Sequence, residues 1–366
     1  MVKHETKHPF KDAFFIFKNF NTYYMRKLLF TLGTLLLFSC GSSRLVTQNT
    51  PPPPSGPDGV KIQVGEVSSI NEAPLETLFF TSESRIGEMM NFLASDDLKG
   101  RDSGSEGIEM AAKYAENYFR SYGLAPYYES FRDTLANYKK TSYNIVGMVE
   151  GSDPDLKNEY ILIGAHYDHI GIIKAENGDA IANGANDNAS GTSTVLELAR
   201  YFGTKKTNRR SLIFALFSAE EKGLLGSKHM ARNMKENNLN LYAMLNFEMT
   251  GVPLKGRDYL IYITGYEKSN LAEVSNKYAD ENLVGFLRTA KDYNLFQRSD
   301  NYPFHTEFGV PSHTFCTFDF TNFDYYHRVG DESDIMDFDH MANVVNKLIP
   351  VLEGIANSPE KEVKVN

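Results

Sequence analysis

Ser211-Leu212-Ile213-Phe214-Ala215-Leu216-Phe217-Ser218-Ala219-Glu220-Glu221 sets an unbroken apolar run just before two adjacent acids. A run without polar alternation is the pattern of a strand covered on both faces, as in parallel sheets. Two neighbouring carboxylates repel each other unless a cation or a proton comes between them. Taken alone, the pair would equally suit the acidic first turn of a helix, which the sequence predicts from about Lys222. A second stretch has the same construction: Tyr160 to Ala165 is nearly all apolar, and His166-Tyr167-Asp168-His169 follows at once.

Outward from these two stretches the periods alternate. Ser142 to Val149, Ala243 to Phe247 and Leu260 to Ile263 read as further strands. Gly107 to Tyr122 spaces Ile108, Ala111, Ala112, Ala115 and Phe119 by three and four, which predicts a helix with one apolar face. Ser190 to Phe202 and Met341 to Ile355 read the same way. Strands alternating with helices predict an α/β fold in a single domain, with a mixed, mostly parallel sheet sandwiched between helices. His166, Glu220, Glu221 and Glu248 then all fall just past the carboxyl ends of strands. Open α/β sheets bind their ligands at that edge.

The polar residues form a ligand inventory. His166, Asp187, Glu221, Glu248 and His327 are imidazoles and carboxylates of the kind zinc accepts, and Glu220 is a spare acid beside one of them. Asp187 lies in the turn Gly184-Ala185-Asn186-Asp187-Asn188-Ala189-Ser190-Gly191, which can present both carboxylate oxygens to a pair of cations. Read alone, the same Asp would be an Asx-turn or a helix cap. Asp168, two residues beyond His166, can fix the second imidazole nitrogen, and Asp331 can do the same for His327. Tyr326 offers a hydroxyl donor to a developing oxyanion. If Glu221 is held by metal, Glu220 is free to take a proton from water and hand it to a leaving amine. The set predicts two zinc ions and a hydrolase.

The chain has 366 residues and a net charge of −9, which argues against nucleic acid as a partner because phosphate contacts need basic patches. Met25-Arg26-Lys27 precedes an apolar run from Leu28 to Phe38, the length of a signal-peptide core and too short to span a bilayer. The run ends in Leu37-Phe38-Ser39-Cys40, which resembles the lipobox of bacterial lipoproteins. Residues 1–40 are therefore expected to be a leader and lipoprotein signal, with Met25 as the true start. The expected product is anchored to a membrane through lipid on Cys40 and faces the periplasm or the cell exterior. Residues 41–76, rich in Ser, Pro and Gly, read as a tether, 77–358 as the catalytic domain and 359–366 as a tail. Cys316, in an apolar run, is expected to be an inert core thiol.

His-Tyr-Asp-His, Gly-Ala-Asn-Asp-Asn-Ala-Ser-Gly, Ala-Glu-Glu-x-Gly-Leu-x-Gly-Ser and Tyr-His-x-x-x-Asp-Glu, in this order, resemble the bacterial leucyl-aminopeptidase type of dizinc peptidase. Glutamate carboxypeptidases, glutaminyl cyclases and the transferrin receptor ectodomain are relatives of that family. The similarity extends from about Ile86, through Gly100-Arg101-Asp102, to the closing helix. It implies peptide substrates, with Asp187 bridging the metals, Glu221 and His327 completing one site and His166 and Glu248 the other. Glu220 would be the general base, Asp168 would stand behind His166, and Arg298-Ser299-Asp300 would line the site. Position 248 is more often Asp in this family, so the longer Glu bears on metal affinity and on the room left for a substrate. A carboxypeptidase or dipeptidase of the same fold stays open through Arg298 and Arg328. A glutaminyl-cyclase-like acyltransferase would need a tryptophan-lined pocket, and the chain has no Trp. A non-catalytic binding module would have lost ligands, whereas every ligand position is filled.

Overall fold

A computed structural model describes residues 79–366. The expected leader, Cys40 and the tether lie outside the described residues. In chain order the strands are β1 (Ala125–Pro126), β2 (Arg132–Thr134), β3 (Tyr143–Val149), β4 (Tyr160–His166), β5 (Gly171–Glu176), β6 (Asp179–Ala182), β7 (Ser211–Phe217), β8 (Leu241–Glu248), β9 (Ile261–Ile263), β10 (Val284–Gly285) and β11 (Ser312–Cys316). The helices are α1 (Glu83–Leu93), α2 (Glu106–Ser121), α3 (Gly191–Lys205), α4 (Leu225–Glu236), α5 (Leu271–Ala279), α6 (Arg288–Asp292), α7 (Asn301–Phe308) and α8 (Phe338–Asn357). One sheet runs β1-β3-β7-β4-β8-β11-β9-β10, with β2 on β3, and β5 and β6 form a separate hairpin. β7, β4, β8 and β11 are parallel neighbours, while β3 joins β7 and β9 joins β11 antiparallel. The sheet is mixed with a parallel centre, as the apolar runs predict.

Alternation along the central strands divides the core. Ile161, Ile163, Ala165, Leu212, Phe214, Leu216, Ala243, Leu245 and Phe247 pack with α1, α2, α3, α5 and α8. Leu162, Ile213, Ala215, Phe217 and Met244 point the other way, onto Met230, Ala231 and Met234 of α4 and Phe304 of α7. Each buried Leu, Ile or Phe contributes about 1.5–3 kcal/mol, so strands covered on both faces are held firmly in place. The register sets His166 opposite Phe217 and Glu248 opposite Cys316, which brings the polar strand ends to one edge. Cys316 is buried and its thiol is pushed up to about 12 by burial, which keeps it inert. Residues 359–366 lie against the domain: Val363 is buried, and its N–H donates to the Tyr242 hydroxyl.

Two buried polar devices yield predictions. Glu197 of α3, fully buried, accepts hydrogen bonds from Arg85 of α1 (2.9 Å), from Arg200 (2.9 and 2.6 Å) and from Tyr118 of α2. Glu197→Gln should destabilise the domain by about 2–4 kcal/mol, because two arginines lose their shared anion while their partial exposure softens the loss. Urea unfolding checks this. His313 of β11 is buried, with Nδ1 2.8 Å from the Thr264 carbonyl and Nε2 2.7 Å from the Ser269 hydroxyl. Burial lowers its pKa to about 4. Between pH 6.5 and 4 the unfolded chain therefore takes up a proton at His313 that the folded chain refuses, and stability falls as pH falls. Acidification from pH 7 to 4.5 should cost the wild type about 2–3 kcal/mol at this site. His313→Gln should show a correspondingly shallower pH slope in the same unfolding assay.

Candidate metal centre

Each polar side chain reaches the parallel edge by a different device. His166 is the last residue of β4 and Glu248 the last of β8. Beyond β7, Ala219 adopts a left-handed backbone (φ 59), which turns the chain so that Glu220 and Glu221 face back over the edge. Met249 (φ 50) and His327 (φ 57) are left-handed as well. Such backbone is uncommon outside glycine and tends to be kept where a side chain must be aimed.

The loop that carries Asp187 is laced to the end of β8. Asn186 Oδ1 accepts from the Gly251 N–H (2.9 Å), and Asn188 Oδ1 accepts from Met249 (3.1 Å). Asn188 Nδ2 donates to the Phe247 carbonyl (3.0 Å), and Ser190 Oγ accepts from Thr250 (2.9 Å). A side chain at Gly191 would collide with the Phe247 carbonyl, its Cβ lying 2.3 Å away. Asp331 accepts from the N–H groups of Asn186 (2.6 Å) and Asp187 (3.0 Å), tying the His327 loop to the same turn. Beneath lies Arg101, a buried cation donating to the carbonyls of Tyr167, Leu93, Asn183 and Gly184.

The ligand candidates gather into two groups that share Asp187. One is His166, Asp187 and Glu248; the other is His169, Asp187, Glu221 and His327. Asp187 Oδ1 lies 3.3 Å from His166 Nε2, and Oδ2 lies 3.2 Å from His327 Nε2 and 3.7 Å from His169 Nδ1. Glu221 Oε1 is 3.2 Å from His327 Nε2 and 3.0 Å from His169 Nδ1. Zinc–ligand bonds of about 2.0–2.2 Å in a tetrahedron put neighbouring ligand atoms about 3.3–3.6 Å apart, so these groups have the size of zinc shells. His166 Nε2 and Glu248 Oε2 are buried without any hydrogen-bond partner, although an Asp187 oxygen is near the imidazole. Buried polar atoms without a partner are rare, and a cation between them satisfies both. The residues fit zinc.

Charge leads to the same place. Asp168, Asp187, Glu220, Glu221, Glu248, Asp300 and Asp331 are buried or half-buried, and four of them, Asp168, Asp187, Glu221 and Asp331, act on the buried Arg101. Burial pushes the carboxyls of Glu248 and Asp300 up to about 7 and those of Asp168 and Asp331 up to about 6. Glu220 is raised well above the carboxylate range by burial and by Glu221 and Glu248. Glu221 goes the other way: despite burial, His169 and His327 hold it near 2.

Against the sequence-based expectations, His166, Asp187, Glu221, Glu248 and His327 converge, and Glu220 stands outside both ligand groups. Two roles differ. It is the Asp168 backbone carbonyl that lies 3.1 Å from His166 Nδ1, whereas the carboxylate stands 3.8 Å away and instead accepts from the Glu220 N–H (3.1 Å) and the Ser103 hydroxyl (3.0 Å). β4 ends at His166, so the period that would align the two side chains is broken. Asp331 holds the Asp187 turn rather than the His327 ring. Tyr326 stacks on His327, with ring centroids 4.0 Å apart, and stays 39% exposed at the rim. Asp300, expected to line the site, is buried beside His166 and Glu221 with neither carboxylate oxygen hydrogen-bonded. One ligand candidate escaped the sequence reading: His169, within the quoted His-Tyr-Asp-His. The second histidine of the first motif was the available signal.

A family model described as peptidase family M28 matches residues 144–351. Aminopeptidase YwaD of Bacillus subtilis is 33% identical over 182 residues, covering 48% of this chain and 36% of that protein. A probable zinc metalloprotease of Pyrenophora teres f. teres is 28% identical over 218 residues, covering 57% and 42%. The chain thus spans less than half the length of these two curated relatives. The crystal structure of the LapA aminopeptidase of Legionella pneumophila is similar in fold, with a TM-score of 0.59 at 22% identity over 81% of this chain and 79% of that one.

Proposed function

The chain belongs to peptidase family M28, and on that footing we propose that it is a zinc-dependent exopeptidase, an aminopeptidase that removes N-terminal residues from peptides. The observation that carries this reading is the pair of ligand groups joined by Asp187, with Glu220 left outside both. His166, Asp187 and Glu248 would hold one zinc, and Asp187, Glu221 and His327 the other. When bound, zinc supplies Lewis-acid polarisation of a peptide carbonyl and makes water acidic enough to attack at neutral pH. Glu220, its backbone N–H fixed by Asp168, accepts the proton of the attacking water and returns it to the departing amine. Tyr326, at the rim, donates its hydroxyl to the oxygen where charge develops.

The acid excess selects the end of the substrate. A free N-terminal ammonium is attracted to such a site, whereas a C-terminal carboxylate needs a cation to receive it. Arg328 pairs with Glu176 at 2.9 Å, Arg101 is consumed by backbone carbonyls, and Arg298 is exposed. That favours the aminopeptidase over the carboxypeptidase. Amino-acid anilides test the activity: hydrolysis should stop in chelator and return with zinc, and hydrolysis indifferent to chelator would refute the reading. The apolar run ending at Cys40 supports a lipid-anchored protein facing the periplasm or the cell exterior. Mass spectrometry of the mature chain should find Cys40 as an acylated first residue, and a mature protein retaining Met25 would contradict this.

A further inference from the structure

We infer that His169 is a ligand of the ion held by Glu221 and His327, so that one metal position is enclosed by four protein side chains while the other, with three, stays open. The inference rests on the metallopeptidase reading above and deepens it. Two imidazole nitrogens flank the same two oxygen atoms. His327 Nε2 lies 3.2 Å from both Asp187 Oδ2 and Glu221 Oε1, and His169 Nδ1 lies 3.7 Å and 3.0 Å from them. The two rings stand 5.6 Å apart at 67°, so they approach the oxygen pair from different directions. These four nitrogen–oxygen distances are close to the edges of a zinc tetrahedron, and all four ligand atoms lie within 4.8 Å of one another. His169 is fully buried, and Gly184 makes room for it: a Cβ there, on a backbone of φ +60, would lie 2.5 Å from the imidazole ring. Any other residue at 184 would push the ring off the cluster.

Around His166 the group is His166, Asp187 and Glu248, with no fourth member among the described residues. Zinc positions filled by four side chains are closed and structural in character, and those with three leave a place for water or substrate. The unequal donor sets divide the work. The Glu221 position, with two imidazoles, retains its ion, and the Glu248 position, with one, exchanges it and receives the substrate.

Metal counting on the full chain tests this. The protein is loaded with zinc, dialysed against a graded series of a competing chelator, and its zinc measured by elemental analysis. The wild type should lose its ions in two separated steps. In His169→Ala the more tightly held ion should weaken by more than roughly 100-fold, beyond the 10- to 100-fold that losing an outer partner of a ligand costs. One equivalent of cobalt in the wild type should give the intense visible bands of a four-coordinate ion, and these should shift and change in intensity in His169→Ala and in His169→Asn, where water takes the place of the imidazole. Thermal melts of all three proteins in excess chelator separate a folding defect from a ligand defect. A weakening of 100-fold or less with an unchanged cobalt spectrum would make His169 a hydrogen-bonding neighbour of Glu221 and overturn the inference alone. So would a wild type that releases both ions together or shows no four-coordinate cobalt. A wild type that binds no zinc would overturn the functional reading with it.

Discussion

Glu220→Gln should keep its metal and lose roughly two to four powers of ten in turnover, the usual worth of a positioned general base. The reason is positional. Glu220 belongs to neither ligand group, yet it adjoins the ligand Glu221, and its backbone is pinned by the Asp168 carboxylate. Gln preserves shape and hydrogen bonding while removing the site that accepts a proton. Glu221→Gln should behave differently, because it removes a ligand: its zinc content should fall, and added zinc should restore part of the activity. Elemental analysis beside steady-state kinetics separates the two. If both variants lost metal and both were rescued by it, Glu220 would not be the base.

Asp187→Ala should be the most damaging substitution at the centre. Its Oδ1 faces His166, its Oδ2 faces His327 and His169, and it is the one side chain common to both groups. Removing it takes a ligand from each position at once and leaves the remaining carboxylates without the cations that separate them. Zinc content should fall from about two ions towards none at metal concentrations that saturate the wild type, and activity should fall to background without rescue. A variant that kept one ion at full strength would show that Asp187 does not bridge.

Much of this architecture was legible in the sequence, for a physical reason. β4 and β7 are covered on both faces and so read as unbroken apolar runs, and a parallel centre brings their carboxyl ends to one edge. The ligand candidates at those ends could be found by position alone. What escaped was non-local. Asn186 and Asn188 look like ordinary turn residues until β8 is packed beside them and their amides are seen to lace Phe247, Met249 and Gly251. Asp331 meets the Asp187 turn from 144 residues away, which no spacing rule anticipates. His169 follows the last residue of a strand by three, where strand periodicity no longer says which way a side chain points. The hairpin of β5 and β6 is short and only partly buried, and it carries no long apolar run to announce it.

Metal-dependent removal of residues from the amino end is tested by a pair of peptides. One peptide has a free N-terminus and an amidated C-terminus; its twin has an acetylated N-terminus and a free C-terminus. Each is incubated with the zinc-loaded full chain, with and without chelator, and the products are followed by mass spectrometry. Stepwise loss of N-terminal residues from the first peptide alone, abolished by chelator and restored by zinc, is the predicted result. Release of C-terminal residues from the second, or cleavage that persists in chelator, would contradict a zinc-dependent aminopeptidase.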